Sequence, residues 1–376
     1  MAEIVSGPAA RIERVRAMME ERGYDAVVVR DEANLRWLTG AMGVFDYTYE
    51  FPHAAFITRD ACFLHTDSRY FNSFTENLPE GHTWQLDMDG HDIPGWVAER
   101  ALACRCRVVA IEDDMQLSFY QGIVRGLEDR SIVCQLPLMH GDLRRMRAVK
   151  DDEEIELMRH AQAITDAAFA HMLGFIKPGM TEKQIRVELE SFMLDNGADG
   201  LAFDSIVASG PNTANPHAIP SDRVVQKGDF VLMDYGARYR DYDSDMTRTV
   251  VMGEPTAEQR ALYDLVQHTH EECVRAIHAG VDGHDIHMLS VKIISDAGYG
   301  DYYGHGLGHG VGIDIHELPN FGRASNIVEA GSVVTVEPGV YLPGVGGVRL
   351  EDYGVVTEDG YMPFTSSPHE LQVIDC

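Results

Sequence analysis

Ile12, Val15 and Met19 recur at the three-to-four-residue spacing of one helical face, with polar residues filling the positions between them. That pattern predicts a helix from Ala10 to Arg22. It gives way to DAVVV, a β-branched apolar run too short for a helix, which predicts a buried strand. AAFIT at Ala54, CFLHT at Cys62 and RVVAIE at Arg107 repeat the strand signal. Helix-like and strand-like stretches thus alternate as in an α/β layer.

From Arg144 the pattern changes. RRMRAVKDDEEIELMRHAQAITDAAFAHML sets Ile155, Met158, Ala161, Ile164 and Phe169 on one face of a long charged helix, with DDEE at 151 suited to a first turn. The change predicts two domains, residues 1–143 and 144–376. Two further helices are expected, TEKQIRVELESFMLDNG capped by Thr181 and TAEQRALYDLVQHTHEECVRAIHAG capped by Thr256 and closed by Gly280. A shorter one follows at DIHMLSVKIISDAG.

Strand-like runs between these helices end in acids, and two of them echo each other. GDFVLMDYG from Gly228 aligns without gaps on GSVVTVEPG from Gly331, each placing a carboxylate six residues after the first glycine. A second acid follows each, Asp245 after Asp234 and Glu351 after Glu337. This predicts a duplicated strand-hairpin unit whose halves share one site.

The chain has 376 residues, enough for two cores. At 45% hydrophobic and 24% charged it is globular rather than disordered. A formal net charge of −29 argues against nucleic acid or an anionic membrane as partner. The N-terminal stretch offers no signal-peptide core, and no apolar run approaches a membrane span. Of the six cysteines only Cys104 and Cys106 lie close, with no second pair for a four-thiolate zinc site. A soluble cytoplasmic protein with reduced thiols is expected.

Four carboxylates brought together would repel one another and resist burial, so their convergence calls for cations. Carboxylates with one imidazole suit two first-row divalent ions, which can hold a water between them and polarise a carbonyl. GHGLGHGVGIDIHE, Gly304 to Glu317, supplies histidines. His305 and His309 are four apart, as in helical HExxH zinc sites, but Gly-Leu-Gly between them disfavours a helix. Those glycines more readily allow close backbone approach. The residues alone leave open which histidine binds metal.

FDSIVASGPNTANPH, VLMDYGARYRDYDSDMTRT, GHGLGHGVGIDIHE, TVEPGVY and GGVRLEDYG, in that order, resemble the pita-bread metallopeptidase family, and within it the Xaa-Pro branch of prolidase and aminopeptidase P. NLRWLTG at Asn34 and TDSRY at Thr66 resemble the branch's smaller domain. The resemblance implies an α/β N-terminal domain and an α+β pita-bread catalytic domain with pseudo-twofold internal symmetry. It implies two divalent ions per chain, with Asp234 on one, Asp245 and Glu351 bridging both, and His309 and Glu337 completing the second. His305 and His316 match flanking histidines that hydrogen-bond or shuttle protons, His217 matches one that assists the tetrahedral intermediate, and Glu337 is the expected proton carrier. Arg349 matches an arginine that either holds a substrate carboxylate or balances the acids.

The expected activity is metal-dependent hydrolysis of Xaa-Pro bonds by a metal-bridging hydroxide, as an Xaa-Pro dipeptidase acting on proline-containing dipeptides. Xaa-Pro aminopeptidase is the alternative, and a non-peptide amide hydrolase or lyase a further one. The intact ligand set argues against a metal-free creatinase-like enzyme and against a non-catalytic binding module. Manganese suits the acid-rich set, while cobalt, zinc or iron is also admitted. A homodimer is implied, with Phe45, Tyr47 and Tyr49 of the aromatic loop 41–51 lining a partner's site or packing locally. The remaining helix histidines, His160, His171, His268, His270, His284 and His287, read as solvated helix faces or ends.

Overall fold

The computed structural model describes residues 6–45, 51–88 and 92–376, and divides into two units, Met1–Arg147 and Ala148–Cys376.

In the first unit the predicted helix runs Pro8–Arg22, burying Ile12, Val15 and Met19. Gly23 closes it at φ 72°, a left-handed conformation that suits glycine. DAVVV forms the fully buried strand Ala26–Val29, which pairs antiparallel with Ala54–Thr58 and parallel with Val109–Ile111. Cys62–His65 and then Trp84–Asp87, a strand the pattern did not suggest, extend the sheet to five. Phe45 is buried, edge-on to His53 and Phe74 with ring centroids 5.3 Å apart in each case. That places Phe45 in the local core, while Tyr47 and Tyr49 lie outside the described residues. All six cysteines are free thiols.

The long helix expected from Arg144 is instead two, Asp142–Ala148 and Asp152–Phe175. Asp151 and Glu154 form a reciprocal capping box, each side chain bonding the other's backbone N–H, which starts a helix afresh. Lys150 N–H turns away to bond Gly331 O. The acid run therefore serves as cap and first turn. Thr181 and Thr256 cap their helices, Glu182–Asp195 and Ala257–Ala276, through capping boxes with Gln184 and Gln259. The second helix stops short of Gly280, because Ile277 turns extended and buries its side chain while Gly280 N–H bonds Val328 O.

The sequence echo is an echo in structure. Phe230–Tyr235 pairs antiparallel with Met246–Met252, setting Asp234 opposite Thr247. Val333–Val336 pairs antiparallel with Asp352–Thr357, setting Val336 opposite Asp352. Each half thus ends a strand near one acid and begins its partner near the other. The inner strand faces bury against helices. Val231 and Met233 share a core with Phe169, Met172 and Leu189, and Val334 and Val336 share one with Cys273, Ile277 and Ile286. At roughly 1.5–3 kcal/mol per large apolar side chain, these cores fix the strand ends that carry the acids.

Candidate metal centre

The strand ends open onto a cavity of about 540 Å³ whose walls include Asp234, Asp245, Glu337, Glu351, His217, His305, His309, His316 and Arg349. All nine site residues expected from the sequence are therefore together. Asp245, His309 and Glu351 each bring one ligand atom within 4.8 Å of the others. His309 Nε2 lies 3.6 Å from Asp245 Oδ2 and 3.5 Å from Glu337 Oε1.

Local folding explains each position. His309 lies on the short strand Gly308–Gly310, held where its backbone N–H donates to Thr335 Oγ1 (3.0 Å). A Cβ on Gly308 would stand 2.1 Å from Thr335 O, so the glycine permits this close approach. His309 Nδ1 faces Gly310 O at 3.0 Å. A carbonyl can only accept, so Nδ1 carries the proton and Nε2 presents its lone pair to the acids, the tautomer a metal ligand needs.

The acids are under strain of charge. Burial, and then the fields of Glu351, Asp234 and Glu337, raise the Asp245 carboxyl well above its ordinary value. Burial, followed by Glu337 and Asp234, does the same to Glu351. Burial pushes Glu337 up to about 8 against the lowering effect of Arg349. Thr247 Oγ1 donates to Glu351 Oε2 at 2.6 Å. Asp234 Oδ2 accepts from Arg349 Nη2, but its Oδ1 is buried with no partner. Crowded acids and an orphaned carboxylate oxygen facing a cavity fit a divalent cation.

Arg349 is committed inside the protein. Its Nε donates to Thr247 Oγ1, Nη1 to Tyr341 Oη (2.9 Å) and Pro216 O, and Nη2 to Asp234. His305 Nδ1 donates to Gly306 O (2.7 Å), which leaves Nε2 to accept from Tyr341 O–H at 3.0 Å. Burial, then the Arg349 charge, lowers the His305 imidazole to about 4, so it stays neutral at pH 7. His316 and His217 are exposed on the cavity wall, the His316 ring 4.3 Å from that of His309.

Sequence reasoning gave Tyr341, Thr247, Lys150 and Glu317 no role. Glu317 accepts from Ile313 N–H and Asp314 N–H and from Lys150 Nζ (2.9 Å), which folds the turn that carries His316. Tyr341 stood inside a quoted motif, but its bridge from His305 to Arg349 is a tertiary fact. Tyr341→Phe is expected to leave metal content and Tm nearly unchanged while lowering kcat/KM about 10-fold, roughly one lost charge-assisted hydrogen bond. Steady-state kinetics with a metal count checks this. Of the histidines read as solvated, His270 and His287 are buried, because both lie on inward helix stripes.

Residues 156–358 match the model of metallopeptidase family M24, and residues 11–149 match that of the creatinase/prolidase N-terminal domain. The chain is 34% identical to peptidase YqhT of Bacillus subtilis over 97% of its own length and 100% of that protein. The solved Xaa-Pro dipeptidase of Bacillus anthracis aligns with a TM-score of 0.88 at 35% identity, covering 98% of this chain and 100% of that one. An X-Pro aminopeptidase from Thermotoga maritima aligns with a TM-score of 0.85 at 32% identity, covering 97% and 100%.

Proposed function

The chain belongs to metallopeptidase family M24, and we propose that it hydrolyses Xaa-Pro peptide bonds as an Xaa-Pro dipeptidase. The observation that carries this is the cavity itself, where four carboxylates and the Nε2 lone pair of His309 converge beside an orphaned Asp234 oxygen. Asp234, Asp245, His309, Glu337 and Glu351 hold two divalent ions. Manganese is the first choice because four of the five side chains are carboxylates, with cobalt, zinc or iron also admitted.

Bound there, the ions supply Lewis acidity for the scissile carbonyl and lower the pKa of the attacking water. Glu337 moves the proton from that water to the leaving amine. Its side chain is 18% exposed against 6% for Asp245, so it is the more accessible to the cavity. His217 and His316, exposed on the wall, bind and orient the peptide, His217 at the oxyanion. Arg349 has four of its five N–H groups engaged inside the protein, which favours holding Asp234 over clamping a substrate carboxylate. His305, tied to Tyr341, positions that arginine.

No helix among the described residues is long and apolar enough to cross a membrane, and the proposed setting is a cytoplasmic homodimer. Xaa-Pro aminopeptidase activity is the second reading, favoured by the likeness to the Thermotoga maritima structure. Hydrolysis of Ala-Pro and of a longer Xaa-Pro peptide, after chelation and after adding back manganese, separates the two. Manganese-restored cleavage of Ala-Pro is expected. Cleavage of the longer peptide alone would move the assignment to an aminopeptidase, and cleavage of neither, with metal bound, to a non-peptide substrate.

A further inference from the structure

His270 occupies the inward stripe of the helix Ala257–Ala276, in line with Leu262, Val266 and Cys273, where an apolar residue would ordinarily stand. It is 1% exposed, and neither of its ring nitrogens has a hydrogen-bond partner. An unpaired polar group in the interior is costly, so the position calls for something to meet that ring.

Two other side chains converge on it. Asp352, buried at the start of the strand Asp352–Thr357, sets Oδ2 3.6 Å from His270 Nε2. His369, from the C-terminal segment, reaches the same oxygen with Nε2 at 2.5 Å. One ligand atom from each residue lies within 4.8 Å of the other two. Ligands sharing a tetrahedral ion at about 2.0–2.1 Å stand about 3.4 Å apart. The 3.6 Å between His270 and Asp352 is close to that, and repeats the spacing of His309 and Asp245.

The surroundings suit a ligating carboxylate. The other oxygen of Asp352, Oδ1, accepts from Arg248 Nη2 at 2.8 Å. Arg248 is itself fixed by the carbonyls of Thr247, Glu351, Ser367 and Pro368. An outer donor that orients a carboxylate, leaving its second oxygen for the ion, is the usual support of a metal site. The His369 side chain is 34% exposed, which gives an ion a way in and leaves a position for water. None of the three residues borders the cavity that Glu351 lines.

We propose that His270, Asp352 and His369 form a separate binding site for a zinc-class divalent cation. Two imidazoles with one carboxylate suit zinc, whereas magnesium and calcium demand oxygen ligands. On binding, His369 gives up the proton it shares with Asp352 to solvent and turns its Nε2 lone pair onto the ion. The ion then ties a helix, the strand that begins one residue after Glu351 and the C-terminal segment into one clip.

The test is zinc binding to the full chain, read by equilibrium dialysis and by anomalous diffraction on either side of the zinc edge. Wild-type crystals are expected to show anomalous density between the three side chains; a water in that place would give none. His270→Gln and His369→Gln are each expected to lower bound zinc by one ion per chain and to weaken that class of binding at least about 10-fold. Manganese-supported activity should stay within about 2-fold, because neither residue borders the catalytic cavity. Zinc content equal in all three proteins, or a wild-type map with density confined to the catalytic cavity, overturns the site.

Discussion

Asp245→Asn is expected to abolish peptide hydrolysis, by about four orders of magnitude in kcat/KM, and yet to make the metal-free chain more stable than the wild type. Without metal, Asp245 is buried beside Glu351, Asp234 and Glu337, and burial together with those charges raises its carboxyl well above the ordinary range. A carboxyl whose folded-state pKa is raised opposes stability once the pH exceeds its unfolded value, near 4, because the folded chain must then hold a proton or a repelled charge. Asparagine removes that burden while keeping the shape. A gain of about 1–2 kcal/mol corresponds to about 2–8 °C in Tm for a unit of this size. Saturating manganese should reverse the order, since metal at 100 times its Kd stabilises the wild type by about 2.7 kcal/mol. Calorimetry of both proteins in chelator and in manganese checks the crossing. A variant less stable than wild type in chelator would mean the acids do not repel as described.

Lys150→Met is expected to be strongly destabilising although it touches no metal ligand. Lys150 Nζ bonds Glu317 Oε2 at 2.9 Å, with side-chain exposures of 1% and 3%. Removing the lysine breaks a fully buried ion pair, a loss of about 3–5 kcal/mol. Glu317 also holds the backbone N–H groups of Ile313 and Asp314, so the turn bearing His316 should loosen and kcat fall with stability. Adding Glu317→Gln should restore part of the stability, because the amide oxygen still accepts from that backbone and the buried carboxylate charge is gone. Urea unfolding of the two variants measures it, and a single variant within about 0.5 kcal/mol of wild type would show that the pair contributes little.

Much of this site was legible before the structure. Thr181 and Thr256 announced their helices as N-cap residues, and the aligned runs at Gly228 and Gly331 foretold two antiparallel hairpins with an acid near each strand end. What escaped depends on partners distant in sequence. The helix break at Val149–Asp151 arises because a capping box competes with helical periodicity, and Lys150 is drawn to Gly331. Tyr341 acquires its role only when His305 and Arg349 meet around it. His270 was misread by residue type, although its spacing from Leu262, Val266 and Cys273 put it on the buried stripe. Periodicity was the better guide there.

The most direct test is a manganese titration of the chelator-stripped chain, following Ala-Pro hydrolysis and counting bound metal together. Activity should be absent at the start and should reach its plateau at two manganese ions per chain, with Asp245→Asn inactive throughout. Undiminished hydrolysis by the stripped chain, or two bound ions with no cleavage of any Xaa-Pro peptide, would contradict a metal centre built for that bond.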